Sequence, residues 1–371
     1  MARVTEGFMT VFFSDERCFW HSGGNYALTA PVGGLVQPQA TGGLPENPET
    51  KRRLRNLIEV TGLARVLDIS TAPEADEDAL RRVHPAAYLA EFRRLSEAGG
   101  GELGERTPFG PGGYGIAALS AGLVIAAVDG VLRATHRNAY ALSRPPGHHC
   151  LPDRPMGFCL LNNIAIAIEA ARAAGLARRF AVVDWDVHHG NGTEAIYAAD
   201  ADVLTLSIHQ AGNYPWHTGG VDTDAVANVN VPLPPGAGHD AYLHAMERIV
   251  GPALRAFEPQ IIVIACGYDA SGVDPLARML AGSDTFAAMT RTVMELADEL
   301  CGGRLAMAHE GGYSEVHVPF CGHAVLAEMA GSDIAAPDPL AARIAAHQPD
   351  AEMRAVHRAR IDAIAVHHGY R

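Results

Sequence analysis

The stretch FAVVDWDVHHGNGT, residues 180–193, changes within a few positions from apolar to strongly polar. Its first residues form a continuous apolar run, and Asp184, Asp186, His188 and His189 follow directly. A short apolar run bounded by polar residues is typical of a strand that is buried on both faces of a parallel sheet. We therefore expect an inner strand with two acids and two histidines at its carboxyl end.

Strand-like and helix-like segments alternate along most of the chain. Apolar β-rich runs, among them NAYALS, RFAVV, DVLTLS, IIVIAC and RLAMAH, are separated by segments with helical apolar spacing. This alternation predicts an α/β fold with an open, mostly parallel sheet flanked by helices on both faces. We expect a single domain over residues 1–371, with a mainly helical layer near 49–99 and a helical tail near 337–371.

The composition of the chain indicates which partners and which cellular compartment to expect. The formal net charge of −13 over 371 residues argues against a broad basic surface, so we do not expect nucleic acid as a partner. Six cysteines without C-x-x-C spacing favour a reducing cytoplasm. The first residues lack the pattern of a signal peptide, and the uncharged run 110–128 contains only about thirteen apolar positions, which predicts a core helix and no membrane partner.

Polar side chains follow five of the predicted strands. In open parallel sheets, ligands bind beyond the carboxyl ends of the strands, so these residues are the candidates for a site. In chain order they are His148 and His149, then Asp184 to His189, then His209 and Gln210, then Asp269, and finally Glu310 and Tyr313. The sequence therefore predicts one rim that carries acids, imidazoles and a phenol.

Alternation along a strand would turn Asp184, Asp186 and His188 to the same side. Two carboxylates and an imidazole suit a divalent metal such as zinc with an open position for water, and Asp269 is the best placed additional ligand. Each residue alone is equally well explained as a helix cap or a member of a buried ion pair. Convergence of five strand ends favours a site, because buried unpaired charge is costly.

Three common motifs are excluded. Residues 110–115 fit G-x-G-x-x-G, but the sequence predicts no buried strand before them, as dinucleotide binding requires. The sequence contains neither the G-x-S-x-G of serine hydrolases nor a Walker A motif.

Six motifs occur in a characteristic order over most of the chain: RPPGHH (144–149), MGFCLLNN (156–163), DWDVHHGNGT (184–193), LSIH (206–209), GYDAS with DPL (267–276) and EGGY (310–313). Together they resemble the arginase-like zinc histone deacetylases, and most of all the class II-like bacterial histone deacetylase-like amidohydrolases. The resemblance implies the arginase/deacetylase fold and the hydrolysis of acyl-lysine or related acylamines.

The resemblance also implies roles for individual residues. Zinc would be bound by Asp186, His188 and Asp269. The catalytic set would be His149 as general base and then acid, Tyr313 polarising the carbonyl, His148 paired with Asp184 as a positive charge, and Asn191 supporting His149 where many relatives have Asp. A structural potassium ion would be held by Asp184, Asp186, the His188 carbonyl, Ser207 and the Ile208 carbonyl.

Substrate preference depends on the tunnel that the resemblance implies. Its walls would be Gly157, Phe158 and Tyr214, and the loops 14–26 and 210–226 would lie near its mouth. Leu276 stands where polyamine-selective relatives carry a glutamate, so an acetylpolyamine substrate is less favoured than acyl-lysine. Retention of Tyr313 favours active catalysis.

Several alternatives remain open from the sequence. An acetylpolyamine amidohydrolase uses the same chemistry, and a ureohydrolase with two manganese ions uses the same fold but needs further aspartates, whereas glycine follows His189. A module that binds acyl-lysine without turnover is a third alternative. Iron in place of zinc, and a homodimer or tetramer, are compatible with the sequence.

Overall fold

A central parallel sheet organises the computed structural model, which describes residues 9–24, 26–32, 36 and 43–370. The strands are β1 (Val11–Phe13), β2 (Tyr26–Ala27), β3 (Ala30–Pro31), β4 (Asp68–Ser70), β5 (Gly101–Glu102), β6 (Pro108–Phe109), β7 (Asn138–Ala141), β8 (Phe180–Asp184), β9 (Val203–Gln210), β10 (Asn228–Leu233), β11 (Ile261–Cys266) and β12 (Leu305–His309). Eight of them form the sheet in the order β10-β9-β8-β11-β12-β7-β1-β4. The pairs β2-β3 and β5-β6 are small separate hairpins.

The inner strands are apolar because they are covered on both sides. Every residue of β8, β9, β11 and β12 is buried, and all pairings within the large sheet are parallel. The register places Asp184, the last residue of β8, beside Ser207 of β9 and Ala265 of β11. The carboxyl ends of these strands therefore lie at one edge, and the predicted parallel α/β fold is confirmed.

Helices cover the sheet. They are α1 (Glu49–Thr61), α2 (Glu77–Arg81), α3 (Ala86–Glu97), α4 (Gly113–Leu132), α5 (Asn163–Ala173), α6 (Asn191–Tyr197), α7 (His239–Ala245), α8 (Gly251–Phe257), α9 (Ser283–Cys301), α10 (Val318–Ala330), α11 (Ala341–Ala346) and α12 (Ala351–His367). Helix α4 packs on β7, β12 and α5, whereas α9 packs on β11, β12 and α10. The start of α5 is fixed by Asn162, whose side-chain oxygen accepts a hydrogen bond from the Ala165 N–H at 3.0 Å.

Helix α4 is long and apolar enough to cross a membrane by length and composition, and it is the one such helix within the described ranges. Within α4, 67% of the most apolar stretch is buried inside the protein. Our estimate of its length was too short, because the helix begins among the glycines at Gly113 and spans 20 residues. Its position beneath the sheet agrees with the expected core helix.

The edges of the sheet contain strands that we did not anticipate. Strands β1 and β4 have three residues each, and β4 interrupts the segment 49–99 that we expected to be mainly helical. Strand β10 forms the opposite edge from residues that follow the loop 210–226, where we had predicted no strand. Runs this short carry too little periodicity to be recognised. In the C-terminal segment, α12 packs on α7 and β10.

Candidate active site

The chain turns sharply after β8, and carboxylates hold this turn. The alternation that we assumed beyond Asp184 is wrong, because β8 ends at that residue. Instead, Asp184 Oδ1 accepts from the Asp186 N–H at 3.0 Å, and Asp186 Oδ1 accepts from the His188 N–H at 2.9 Å. Asp269 Oδ1, which follows β11, accepts from the Val187 N–H at 2.8 Å. A hydrogen-bonded turn, and not a strand, therefore brings these side chains together.

Asp186, His188 and Asp269 form a buried cluster in which one potential ligand atom from each lies within 4.8 Å of the others. His188 Nδ1 is 3.1 Å from both Asp186 Oδ1 and Asp269 Oδ2. Gly311 closes this space: its N–H donates to Asp186 Oδ2 at 2.7 Å, and a Cβ there would collide with both carboxylates. Two oxygens and one imidazole nitrogen in a confined space fit a catalytic zinc site.

Negative charge is concentrated in this cluster. Burial and the neighbouring Asp186 carboxylate raise the pKa of Asp269 to about 6. Burial lowers the pKa of His188, but hydrogen bonds to Asp186 and Asp269 outweigh it and raise that pKa to about 10. Two buried carboxylates this close need positive charge between them, which a divalent cation supplies.

Two adjacent histidines lie beside the cluster, with ring centroids 4.0 Å apart. His148 Nδ1 is 2.9 Å from Asp184 Oδ2, and His149 Nδ1 is 2.7 Å from Asn191 Oδ1. An amide oxygen only accepts, so His149 Nδ1 carries the hydrogen and a neutral His149 has an unprotonated Nε2.

The two histidines prefer opposite charge states. Burial lowers the pKa of His148, but the carboxylates of Asp186 and Asp184 outweigh it and hold that pKa well above its usual value. Burial together with the positive charges of His148 and His188 holds the pKa of His149 well below its usual value. The pair therefore combines a cation with a neutral imidazole that is ready to accept a proton.

Tyr313 lies on the turn after β12. Its N–H donates to Asp274 Oδ2 at 2.8 Å, and burial with the charges of Asp269 and Asp186 holds its pKa well above the usual value. The phenol therefore stays protonated and can donate a hydrogen bond. Asp274 belongs to the DPL motif, and its contact with Tyr313 was not predicted from the sequence.

Glu310 fixes the backbone that carries the histidines. Its Oε2 accepts from the N–H groups of Gly147 and His148 at 2.7 and 3.1 Å. Burial raises the pKa of this carboxyl to about 7. A carboxyl from the end of β12 thus orients the chain after β7.

A narrow cavity of about 160 Å³ leads to the cluster. Its walls include the predicted residues Gly157, Phe158, Tyr214 and Leu276, together with His149, His188 and Tyr313. The Tyr214 ring lies 5.2 Å from that of His149, and the Phe158 ring lies 5.8 Å from that of Tyr313. Gly157 has φ +55, and its Cα lies close to the rings of His149 and Tyr214. A Cβ at this position would lie 2.9 Å from the Tyr214 ring. Aromatic walls of this kind suit an extended apolar stem.

Two strand-end histidines do not reach the cavity. His189 contacts Thr218 Oγ1 and Glu194 Oε2 at 2.9 and 2.8 Å, and His209 Nε2 lies 2.9 Å from the Gly219 carbonyl. Both histidines form hydrogen bonds to the loop that follows β9. These contacts explain their position without a catalytic role.

The mouth of the cavity contains residues that sequence reasoning missed. Arg106, Trp216 and Thr29 line it. Trp216 lies in the loop 210–226 that we expected near the mouth, whereas Arg106 and Thr29 come from two distant segments and share no spacing that could have indicated them. In the loop 14–26, which we expected near the mouth, His21 is buried, and its carbonyl accepts from Arg144 Nη1 at 3.1 Å. Residue 25 of this loop lies outside the described residues.

The residues assigned to potassium lie together at the ends of β8 and β9. Asp184 pairs with Ser207 in the sheet register. The Gln210 N–H donates to the Val187 carbonyl at 2.9 Å, which brings Ile208 and the turn that contains His188 side by side. The sheet thus supplies closely spaced oxygen atoms, and their use for potassium stays a prediction.

Comparison with known proteins agrees with this geometry. Residues 44–329 match the model of the histone deacetylase domain. The chain is 56% identical over 365 residues to a histone deacetylase-like amidohydrolase of Pseudomonas aeruginosa, covering 97% of this chain and 96% of that protein. It is 35% identical over 304 residues to a probable deacetylase of Archaeoglobus fulgidus, covering 79% of this chain and 84% of that protein. The crystal structure of the HDA15 HD domain superposes with a TM-score of 0.80 at 29% identity, covering 97% of this chain and 96% of the other. The chain therefore belongs to the histone deacetylase family and is a hydrolase of the deacetylase and amidohydrolase type.

Proposed function

We propose that this protein is a zinc-dependent amidohydrolase that removes acetyl or other short acyl groups from acyl-lysine or related acylamines. One observation carries the proposal. The cluster of Asp186, His188 and Asp269 shares a single narrow cavity with His149 and Tyr313.

Zinc would be held by Asp186, His188 and Asp269, whose oxygen and nitrogen donors match its preferences. When bound, zinc supplies a Lewis acid that polarises the acyl carbonyl and lowers the pKa of a water molecule. The confined space beside Gly311 supports a single small cation. Iron is an alternative occupant of the same donor set.

His149 moves the proton. Asn191 engages Nδ1, so Nε2 accepts a proton from water as the water oxygen attacks the acyl carbon. The same nitrogen then donates that proton to the amine nitrogen as the amide bond breaks. The products are a carboxylate and a free amine.

Tyr313 and His148 stabilise the charge that develops on the acyl oxygen. The Tyr313 phenol is held protonated by burial and nearby carboxylates, so its O–H donates to that oxygen. The imidazolium of His148, paired with Asp184, keeps a positive charge beside His149.

The walls support a linear substrate. Phe158 and Tyr214 would flank an alkyl stem such as that of lysine. Leu276 lines the same cavity and offers no carboxylate for a second ammonium group, which supports acyl-lysine over acetylpolyamines. A binuclear manganese centre would need further acids near the cluster.

We also propose a structural potassium ion held by Asp184, Asp186, Ser207 and the His188 and Ile208 carbonyls. The pairing of Asp184 with Ser207 supports it. Six buried cysteines without a disulfide among the described residues support a cytoplasmic location. A dimer or tetramer stays a prediction.

The proposal is tested by turnover of a panel of fluorogenic substrates by the zinc-loaded protein. The panel contains acetyl-lysine, trifluoroacetyl-lysine, longer acyl-lysines and acetylated polyamines, and Tyr313→Phe is the matched variant. We expect cleavage of acyl-lysine and a loss of about 100-fold or more in kcat for the variant. Binding of a hydroxamate without any turnover would indicate a binding module and would overturn the proposal.

A further inference from the structure

Arg106 lies beside the mouth of the cavity in the turn between β5 and β6. Its carbonyl accepts from the Phe158 N–H at 3.0 Å, and the preceding Glu105 carbonyl accepts from the Gly157 N–H at 3.0 Å. The backbone of Arg106 is held in the left-handed region with φ +57. This segment is therefore attached to the wall that would contact the substrate stem.

The guanidinium of Arg106 stacks on two aromatic rings. Its central carbon lies 5.2 Å from the Tyr214 ring centroid and 5.3 Å from that of Trp216. Trp216 is 56% exposed, which places this stack at the solvent end of the cavity. Stacking on both rings orients the guanidinium in advance, so less rotamer entropy is lost when it binds an acceptor.

Arg106 differs from the other arginines that stack on aromatic rings. Arg52, Arg93, Arg172 and Arg179 also stack, and each of them donates to a carboxylate or carbonyl oxygen as well. For Arg106, the described ranges provide no such hydrogen bond or ion pair. Its donors remain available to an acceptor from outside the chain.

Two acids lie close to Arg106 in the sequence, and neither forms an ion pair with it within the described residues. The Glu102 carboxylate already accepts from the Tyr26 hydroxyl at 3.0 Å and from the Thr107 N–H at 3.1 Å. Glu105 is exposed and lines the neighbouring groove with Tyr214 and Trp216, and no ion pair between its carboxylate and Arg106 occurs in the described part of the chain.

We propose that Arg106 binds a carboxylate of the substrate near the acylated side chain, an assignment that rests on the proposed amidohydrolase function. Arg106 lines the same cavity as His188 and Tyr313, so an acyl-lysine stem that reaches the cluster carries its backbone to this arginine. The carboxylate belongs to an acidic residue next to the acyl-lysine or is the α-carboxylate of a single acylated amino acid. A second ammonium group, as in a polyamine, would be repelled here.

The test compares matched substrates within each variant. One pair of peptides carries Asp or Asn beside acetyl-lysine, and one pair of single amino acids carries a free or an amidated α-carboxyl group. Wild type, Arg106→Gln, Arg106→Lys and Arg154→Gln are assayed, the last because Arg154 lies in the neighbouring groove and not in the cavity. The ratio of kcat/KM between the members of a pair is insensitive to a general loss of activity or folding.

We expect wild type and Arg154→Gln to favour the carboxylate in one pair by about five- to tenfold at low salt. Arg106→Gln should abolish the preference, and Arg106→Lys should retain part of it. The pair that shows the preference identifies the source of the carboxylate. Equal rates within both pairs for wild type, or a preference that survives in Arg106→Gln, would overturn the assignment while leaving the amidohydrolase function intact. Failure of wild type to cleave any member would overturn both.

Discussion

Glu46 is the anion of a buried charge cluster with Arg144 and Lys51, and its replacement by Gln is expected to destabilise the protein. Glu46 Oε1 accepts from Arg144 Nε at 2.9 Å and from Lys51 Nζ at 3.2 Å. The side chains are 2%, 1% and 0% exposed, respectively. Arg144 also donates to the Cys18 and His21 carbonyls, which ties the segment leading into RPPGHH to the N-terminal part of the chain.

The magnitude follows from the charge on Glu46. Burial raises its pKa, but Arg144 and Lys51 outweigh burial and bring it from 4.5 to about 2. Ionised Glu46 therefore stabilises the folded state by about 3 kcal/mol at neutral pH. Because the folded pKa is the lower one, this stabilisation is complete above pH 4.5 and is lost as the pH falls toward 2. At pH 4, about 1 kcal/mol of it has gone.

The assay is urea unfolding of wild type and Glu46→Gln at pH 8 and pH 4. We expect the variant to lose about 3 kcal/mol of unfolding free energy at pH 8 and about 2 kcal/mol at pH 4. Lys51→Met is the control: it removes a cation whose pKa burial already lowers and leaves the Glu46–Arg144 pair, so its loss should be smaller. A Glu46→Gln protein as stable as wild type at pH 8, or a difference that does not shrink at pH 4, would refute this reasoning.

Three further predictions concern the site. Asn191→Ala should lower kcat by about 10- to 100-fold in steady-state assays, because His149 loses the acceptor that fixes its tautomer; an unchanged kcat would show that Asn191 is dispensable. Gly311→Ala should leave the purified protein with little zinc by elemental analysis, since a Cβ collides with the carboxylates, and full zinc content would contradict the close fit. Glu194→Gln should raise KM by about threefold with little change in kcat, because Glu194 Oε1 accepts from Thr223 Oγ1 at 3.1 Å and holds the loop that carries the tunnel wall; a change in kcat alone would argue against this role.

The sequence was most informative where burial is complete. The inner strands β8, β9, β11 and β12 are fully buried, so their apolar runs and the polar residues after them could be recognised. The rule that ligands bind beyond the carboxyl ends of parallel strands then placed Asp269 beside Asp186, although the two are far apart in sequence. Strands β1 and β4 were not predicted, because a run of three residues is too short to show the periodicity of a strand.

Other features required three-dimensional structure. Strand alternation grouped Asp184 with Asp186 and His188 around one cation, but the cluster of potential ligands contains Asp269 instead, and Asp184 contacts His148. Hydrogen bonds in the turn, and not a continued strand, orient Asp186 and His188. The stack of Arg106 on Tyr214 and Trp216 joins segments that are more than a hundred residues apart, and no local spacing records such a contact.

The most direct test of the central claim is the zinc stoichiometry of the protein, measured together with acetyl-lysine turnover as metal-free protein is titrated with zinc. We predict that activity rises in proportion to zinc and saturates at about one ion per chain, and that Asp269→Ala neither retains zinc nor regains activity. Activity that persists in the metal-free protein, or that requires two ions per chain, would contradict it.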